Sequence, residues 1–144
     1  MEFNPDKVRK ITSEIYVALE RLEELKRLSK SDFIVDPHRI SSAKYNFIVA
    51  IEGVIDLCNH VIAKNAFRTP EDYADAFKVL SEHGAFDAAF TNTLIQMARF
   101  RNRLVHIYWE VDNEELHGIL QTRLDDVKLF LRKFGAFIGI SKQE

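Results

Sequence analysis

The chain has 144 residues, of which 47% are hydrophobic and 29% charged, with only 5 Gly and 3 Pro. That length supports one hydrophobic core without cross-links, and the scarcity of turn formers favours helices. A net charge of −2 excludes global attraction to nucleic acid or anionic membranes, so any RNA contact has to come from a local basic patch or from a cleft between subunits. The single cysteine, Cys58, excludes an internal disulfide and a cysteine-based zinc site. Its place in an apolar run makes it a core residue. The start Met1 to Asp6 lacks the basic and apolar regions of a signal peptide. The longest unbroken apolar run, Phe47 to Ile51, is far shorter than a membrane span. A cytoplasmic protein with no membrane contact is expected.

The first helix opens at Asn4-Pro5-Asp6, which supplies a cap, a first-turn proline and an acid suited to a helix N-terminus. Val8, Ile11, Ile15, Leu19, Leu22 and Leu25 then recur at helical spacing. Asp36-Pro37 repeats the start signal and Thr69-Pro70-Glu71-Asp72 supplies it again. Asp87 opens a fourth helix and Asp112-Asn113 a fifth, which carries Leu116, Leu120, Leu124, Val127 and Phe134. The spacing predicts helices over 5–29, 37–65, 70–82, 87–107 and 113–138, with no strand and no repeat. Residues 1–144 read as a single all-α domain, an up-and-down bundle of about five helices.

The second helix is apolar on almost every side from Phe47 to Ile62, which predicts burial on more than one face and allows a second subunit to supply one of them. Glu52, Asp56 and Asn59 or His60 interrupt it with one narrow polar stripe. That stripe is either a solvated strip or the polar lining of a cleft that pairs with arginines from the fourth helix.

Those arginines lie in Arg99-Phe100-Arg101-Asn102-Arg103-Leu104-Val105-His106-Ile107-Tyr108. At about 100° per residue, Asn102 and His106 share a face, as do Arg101 and Tyr108, whereas Arg101 and His106 point roughly 140° apart. Either the helix loosens near His106 or two chains build one site. The inventory suits RNA cleavage without metal. An imidazole titrates near ~6.5 in water and so serves both as base toward a 2′-hydroxyl and as acid toward a leaving oxygen. A guanidinium offers a permanent fork for phosphate. Asn102 would orient the imidazole or bind phosphate, and Arg99 and Arg103 would add positive charge for RNA. A structural histidine offsetting a helix C-terminus, among solvated arginines, is the plain alternative.

The stretch from Arg101 to Tyr108 resembles the Arg-x4-His-x-Tyr motif of HEPN-domain toxins, specifically the HepT type paired with a minimal nucleotidyltransferase antitoxin. Tyr45 to Ile62 is similar to that family's long second helix, Thr69 to Leu80 to its Pro-x-x-Tyr-x-x-x-Phe-x-x-Leu segment, and Met97 to Asn102 and Asp112 also match. The likeness runs from about residue 40 to 130. It implies an all-helical homodimer whose cleft joins two copies of the motif. It also implies a metal-independent endoribonuclease without cofactor, in which Arg101 and His106 carry the chemistry, Asn102 assists, and the product is a 2′,3′-cyclic phosphate. It further implies that the antitoxin transfers AMP from ATP to Tyr108, blocking the cleft by bulk and charge. The polar stripe Glu52, Asp56, Asn59 and His60 would then hold the motif's arginines.

Two other functions remain compatible with the residues. One is a non-catalytic subunit that positions nucleotide or substrate for a separate nucleotidyltransferase. The other is a metal hydrolase built from Glu52, Asp56, His60 and His106, although no tight ligand motif is present. His38, His83 and His117 read as solvated or capping, Trp109 as an interface or core aromatic, and Lys128, Arg132 and Lys133 as a solvated face or an antitoxin contact.

Overall fold

The computed structural model describes residues 1–140. Within them lie seven α-helices and no strand: α1 Pro5–Lys26, α2 Lys30–Ile34, α3 Pro37–Lys64, α4 Tyr73–Glu82, α5 Ala88–His106, α6 Asn113–Thr122 and α7 Leu124–Ile138, with a 3₁₀ turn at Tyr108–Glu110 between α5 and α6. The start signals work as their chemistry requires. Asn4 Oδ1 accepts from the amides of Asp6 and Lys7, Asp36 caps α3, Asp87 caps α5 and Asp112 caps α6. Each cap satisfies otherwise orphaned first-turn amides and stabilises its helix by about 1 kcal/mol.

Three boundaries differ from the sequence expectation. The first helix stops at Lys26, and Ser29 Oγ accepts from the Asp32 amide to start a separate short helix. The third predicted helix begins at Tyr73 rather than at Pro70, because Asp72 is the residue whose side chain accepts from the Asp75 amide. The last predicted helix is two helices broken at Arg123. There the Thr122 hydroxyl donates to the Gly118 carbonyl, a back-bond of the kind that bends a helix, and Arg123 pairs with Asp126.

One hydrophobic cluster draws side chains from every helix, Val8 at one end of the chain and Ile138 at the other. Its axis is α3, which packs against all six other helices. That explains why α3 is apolar nearly all round: the burial is supplied largely by its own chain, and no second subunit is needed for it. By length and composition α3 also suffices to cross a bilayer, but 67% of its most apolar stretch is buried inside the bundle, which identifies it as the core helix. Cys58 is fully buried in it, and burial pushes its thiol well above the usual range. Close approach of α1 to α3 depends on Gly53, where an added Cβ would stand 2.5 Å from Ile15 Cγ1.

Candidate active site

Arg101 faces inward from α5 and is 9% exposed. Its Nε and Nη2 both donate to Glu52 Oε2 on α3, at 3.0 and 2.6 Å, and its Nη1 donates to Asn102 Oδ1 at 3.1 Å. The guanidinium lies over the Tyr73 ring at the start of α4, 4.7 Å from its centroid. A carboxylate, an amide and an aromatic face from three helices therefore fix the group in place. A guanidinium has five N–H donors. Three are engaged here, so two are left to meet an incoming anion.

His106 is the last residue of α5 and is exposed. It makes no hydrogen bond or ion pair among the described residues. The helix is regular to this point, with the Ile107 amide still bonded to the Arg103 carbonyl at 3.0 Å, so the helix does not loosen to bring His106 round to Arg101. Within one chain, therefore, Arg101 and His106 stay on different faces of α5. Asn102, expected to orient the imidazole or bind phosphate, instead uses its carbonyl to hold Arg101.

Tyr108 departs from the expected arrangement. Helix geometry ends at Ile107 (φ −132, ψ 54), so the seven-residue spacing does not place Tyr108 on the Arg101 face. It begins the 3₁₀ turn and is 47% exposed. Beneath the ring lies Lys44 of α3, a residue sequence reasoning missed. Its ammonium sits 3.9 Å from the ring centroid and donates to the Tyr108 carbonyl at 3.4 Å. The only signal in the sequence was a cation eight residues before Glu52, just ahead of the apolar run that starts at Phe47. Tyr73 was similarly overlooked, as an aromatic immediately after a helix cap.

The remaining expected residues part company. Of the polar stripe, only Glu52 reaches the arginine motif. Asp56, Asn59 and His60 line a groove against the start of α1, beside Lys7 and Lys10. His60 Nε2 accepts from the Asn4 amide at 2.9 Å and so fastens the N-terminus. Burial, with help from Lys7 and Lys64, lowers its pKa. Asp56 is pushed up by burial first and by the Glu52 charge second. The physical reason is length: residues 52 to 60 span about 12 Å of helix, and Arg101 meets only one end. Arg103 is likewise engaged within its own chain: Glu110 holds its Nε at 2.8 Å while Glu115 grips both terminal nitrogens at 2.6 and 2.8 Å. Those carboxylates raise its pKa further. Arg99, on the same side of α5, is exposed and lines a cleft of about 450 Å3 floored by Phe47, Ile51 and Phe100.

Glu52, Asp56, His60 and His106 do not assemble as a metal site; no group of three or more such ligands occurs among the described residues. Trp109 is 79% exposed and is not a core residue. His83 is exposed and caps the C-terminus of α4, as expected, with its ring stacked on Phe67, whereas His117 is half-buried and packs against Phe33.

The family model described as Ribonuclease HepT-like matches residues 15–134. The chain belongs to that HepT-like ribonuclease family. An Archaeoglobus fulgidus protein named "Putative RNase" is 30% identical over 98 residues, covering 68% of this chain and 70% of that one. The Shewanella oneidensis mRNA nuclease HepT is 26% identical over 102 residues, 71% and 74% of the two chains. The fold is that of HepT-like toxins of known structure. The tri-AMPylated Shewanella oneidensis HEPN toxin, solved in complex with its MNT antitoxin, superposes with a TM-score of 0.83 at 23% identity, over 91% of this chain and 98% of the toxin.

Proposed function

We propose that this chain is the toxin of a type II toxin–antitoxin pair, an endoribonuclease that cuts RNA without a metal ion. The observation that carries the reading is the held guanidinium of Arg101, with two donors free, on the same helix as an unengaged His106. In the reaction, one His106 removes the proton of an RNA 2′-hydroxyl. The 2′-oxygen attacks the adjacent phosphorus, the bond from phosphorus to the 5′-oxygen breaks, and the leaving oxygen takes a proton from a protonated His106 imidazole. The products are a 2′,3′-cyclic phosphate and a 5′-hydroxyl. Arg101 binds the non-bridging oxygens, whose charge grows in the transition state, and Arg99 contributes attraction for the flanking backbone. Asn102 acts through Arg101, as do Glu52 and Tyr73.

Because Arg101 and His106 diverge on one helix, the working cleft is formed by two copies of the chain. Support comes from the apolar side chains left uncovered beside the motif, Tyr73, Val105, Tyr108 and Trp109. The cognate nucleotidyltransferase silences the enzyme by AMP transfer: Tyr108 Oη bonds to the α-phosphorus of ATP, the bond to the β-phosphate bridge breaks, and pyrophosphate and the phenolic proton leave. The tri-AMPylated relative supports this assignment. An RNA substrate and an ATP-using partner place the action in the cytoplasm. Membership of a ribonuclease family favours this reading over a non-catalytic nucleotide-positioning subunit. Purified protein is expected to cut single-stranded RNA in EDTA and to lose that activity in His106→Ala and Arg101→Ala; cutting by both variants at the wild-type rate would overturn the assignment.

A further inference from the structure

Lys44 is 6% exposed, yet no carboxylate lies within ion-pair distance of it among the described residues. A buried ammonium has three donors and a full charge to satisfy. This one has a carbonyl at 3.4 Å and the face of the Tyr108 ring, partners that cover only part of the cost of its burial. The two arginines of the motif that are withdrawn from solvent are answered: Arg101 by Glu52 and Arg103 by Glu110 and Glu115. The unanswered cation stands directly behind the residue that receives AMP in the function proposed above, on which this inference rests.

We propose that Lys44 is the anchor for the phosphodiester formed on Tyr108, the counter-charge that holds the first nucleotide against the protein. Transfer of AMP to Oη places one negative charge at the rim of the ring whose face Lys44 already covers, 3.9 Å from the centroid. The carbonyl bond is long, so a small rotation of the lysine side chain exchanges it for a charge-assisted bond to a phosphoryl oxygen. The anchored nucleotide then lies on the 3₁₀ turn, next to His106, rather than swinging in solvent. Lys44 is a positioning residue in this scheme: it acts on the modified state and takes no part in RNA cleavage.

The test uses full-length wild type, Lys44→Met, which keeps the buried volume without the charge, and Lys44→Arg. Each is modified by the cognate nucleotidyltransferase with ATP and weighed intact, and the adduct is then examined by ³¹P NMR and thermal melting. Wild-type adduct is expected to melt about 4 °C above unmodified protein, with a phosphorus resonance displaced from that of free tyrosine-O-AMP. Lys44→Met is expected to accept AMP but to lose both the melting increment and the displacement, whereas Lys44→Arg retains them. A Lys44→Met adduct with the wild-type resonance and the wild-type increment would overturn the anchor while leaving Tyr108 as the modified residue. No adduct on wild type, with the transferase shown active, would instead overturn the modification reading and the anchor with it.

Discussion

Replacing Glu52 by alanine removes two of the three hydrogen bonds that hold Arg101. The cost follows from exposure. Breaking a fully buried pair costs about 3–5 kcal/mol and an exposed one about 0–1. The Arg101 side chain is 11% exposed but Glu52 is 40% exposed, so solvent screens the pair and the expected loss is about 2 kcal/mol. In a chain of this size that lowers the melting temperature by roughly 8 °C. The guanidinium, left with Asn102 and the Tyr73 ring, no longer points its free donors in one direction. A displacement of about 1 Å costs on the order of 100-fold in rate. Single-turnover cleavage of a fluorescent RNA, with melting measured on the same preparations, reads both effects. Glu52→Gln, whose amide oxygen still accepts, is expected to lie between wild type and alanine. A normal cleavage rate in Glu52→Ala, with or without a lower melting temperature, would refute the role of Glu52 in positioning Arg101.

Gly53→Ala is expected to destabilise the protein by about 1–3 kcal/mol through overpacking, because the new methyl would meet Ile15 on α1 at 2.5 Å; chemical denaturation measures it. Asp75 is held down to about 2, chiefly by the Arg68 guanidinium and next by the Glu71 amide. Its folded pKa lies below the unfolded value, so its stabilisation is complete above about pH 4 and is lost as pH falls through 2. Asp75→Asn should therefore be less stable than wild type at pH 7, with the gap closing toward pH 2. His60 accepts a hydrogen bond and its pKa is lowered, so folding favours the neutral ring. That contribution is present above about pH 6.5 and is lost as pH falls through the lowered folded pKa, so the protection of the Asn4 amide against exchange, relative to its intrinsic rate, should fall on acidification in wild type but not in His60→Gln.

Much of the fold was legible because helix starts are written in short-range chemistry. Asn4, Asp36, Asp87 and Asp112 each cap the helix they announce, and the apolar spacing from Val8 to Leu22 is the buried face of α1. Helix ends were less legible. Nothing near Lys26 forbids another turn; the end is set by Ser29 capping a new helix, and the break at Arg123 depends on a threonine hydroxyl competing for a carbonyl. The site divided along the same line. The stripe on α3 was visible, and so was its pairing with an arginine of the fourth predicted helix, but periodicity gives angles around one helix and not the point where two helices cross. Hence Glu52 was placed correctly beside Arg101 while Asp56, Asn59 and His60 fall against α1. Lys44 escaped notice because its partner, Tyr108, lies beyond the end of α5 in a turn whose path no local pattern defines.

The central claim, that Arg101 of one copy works with His106 of another, is tested most directly by mixing two dead subunits. Arg101→Ala and His106→Ala are each expected to be inactive alone. After they are unfolded and refolded together, half of the dimers carry one of each, and the cleft of each of those keeps one intact Arg101–His106 pair of two, so activity should return to about one quarter of wild type. A mixture that stays as inactive as its components would contradict the shared cleft.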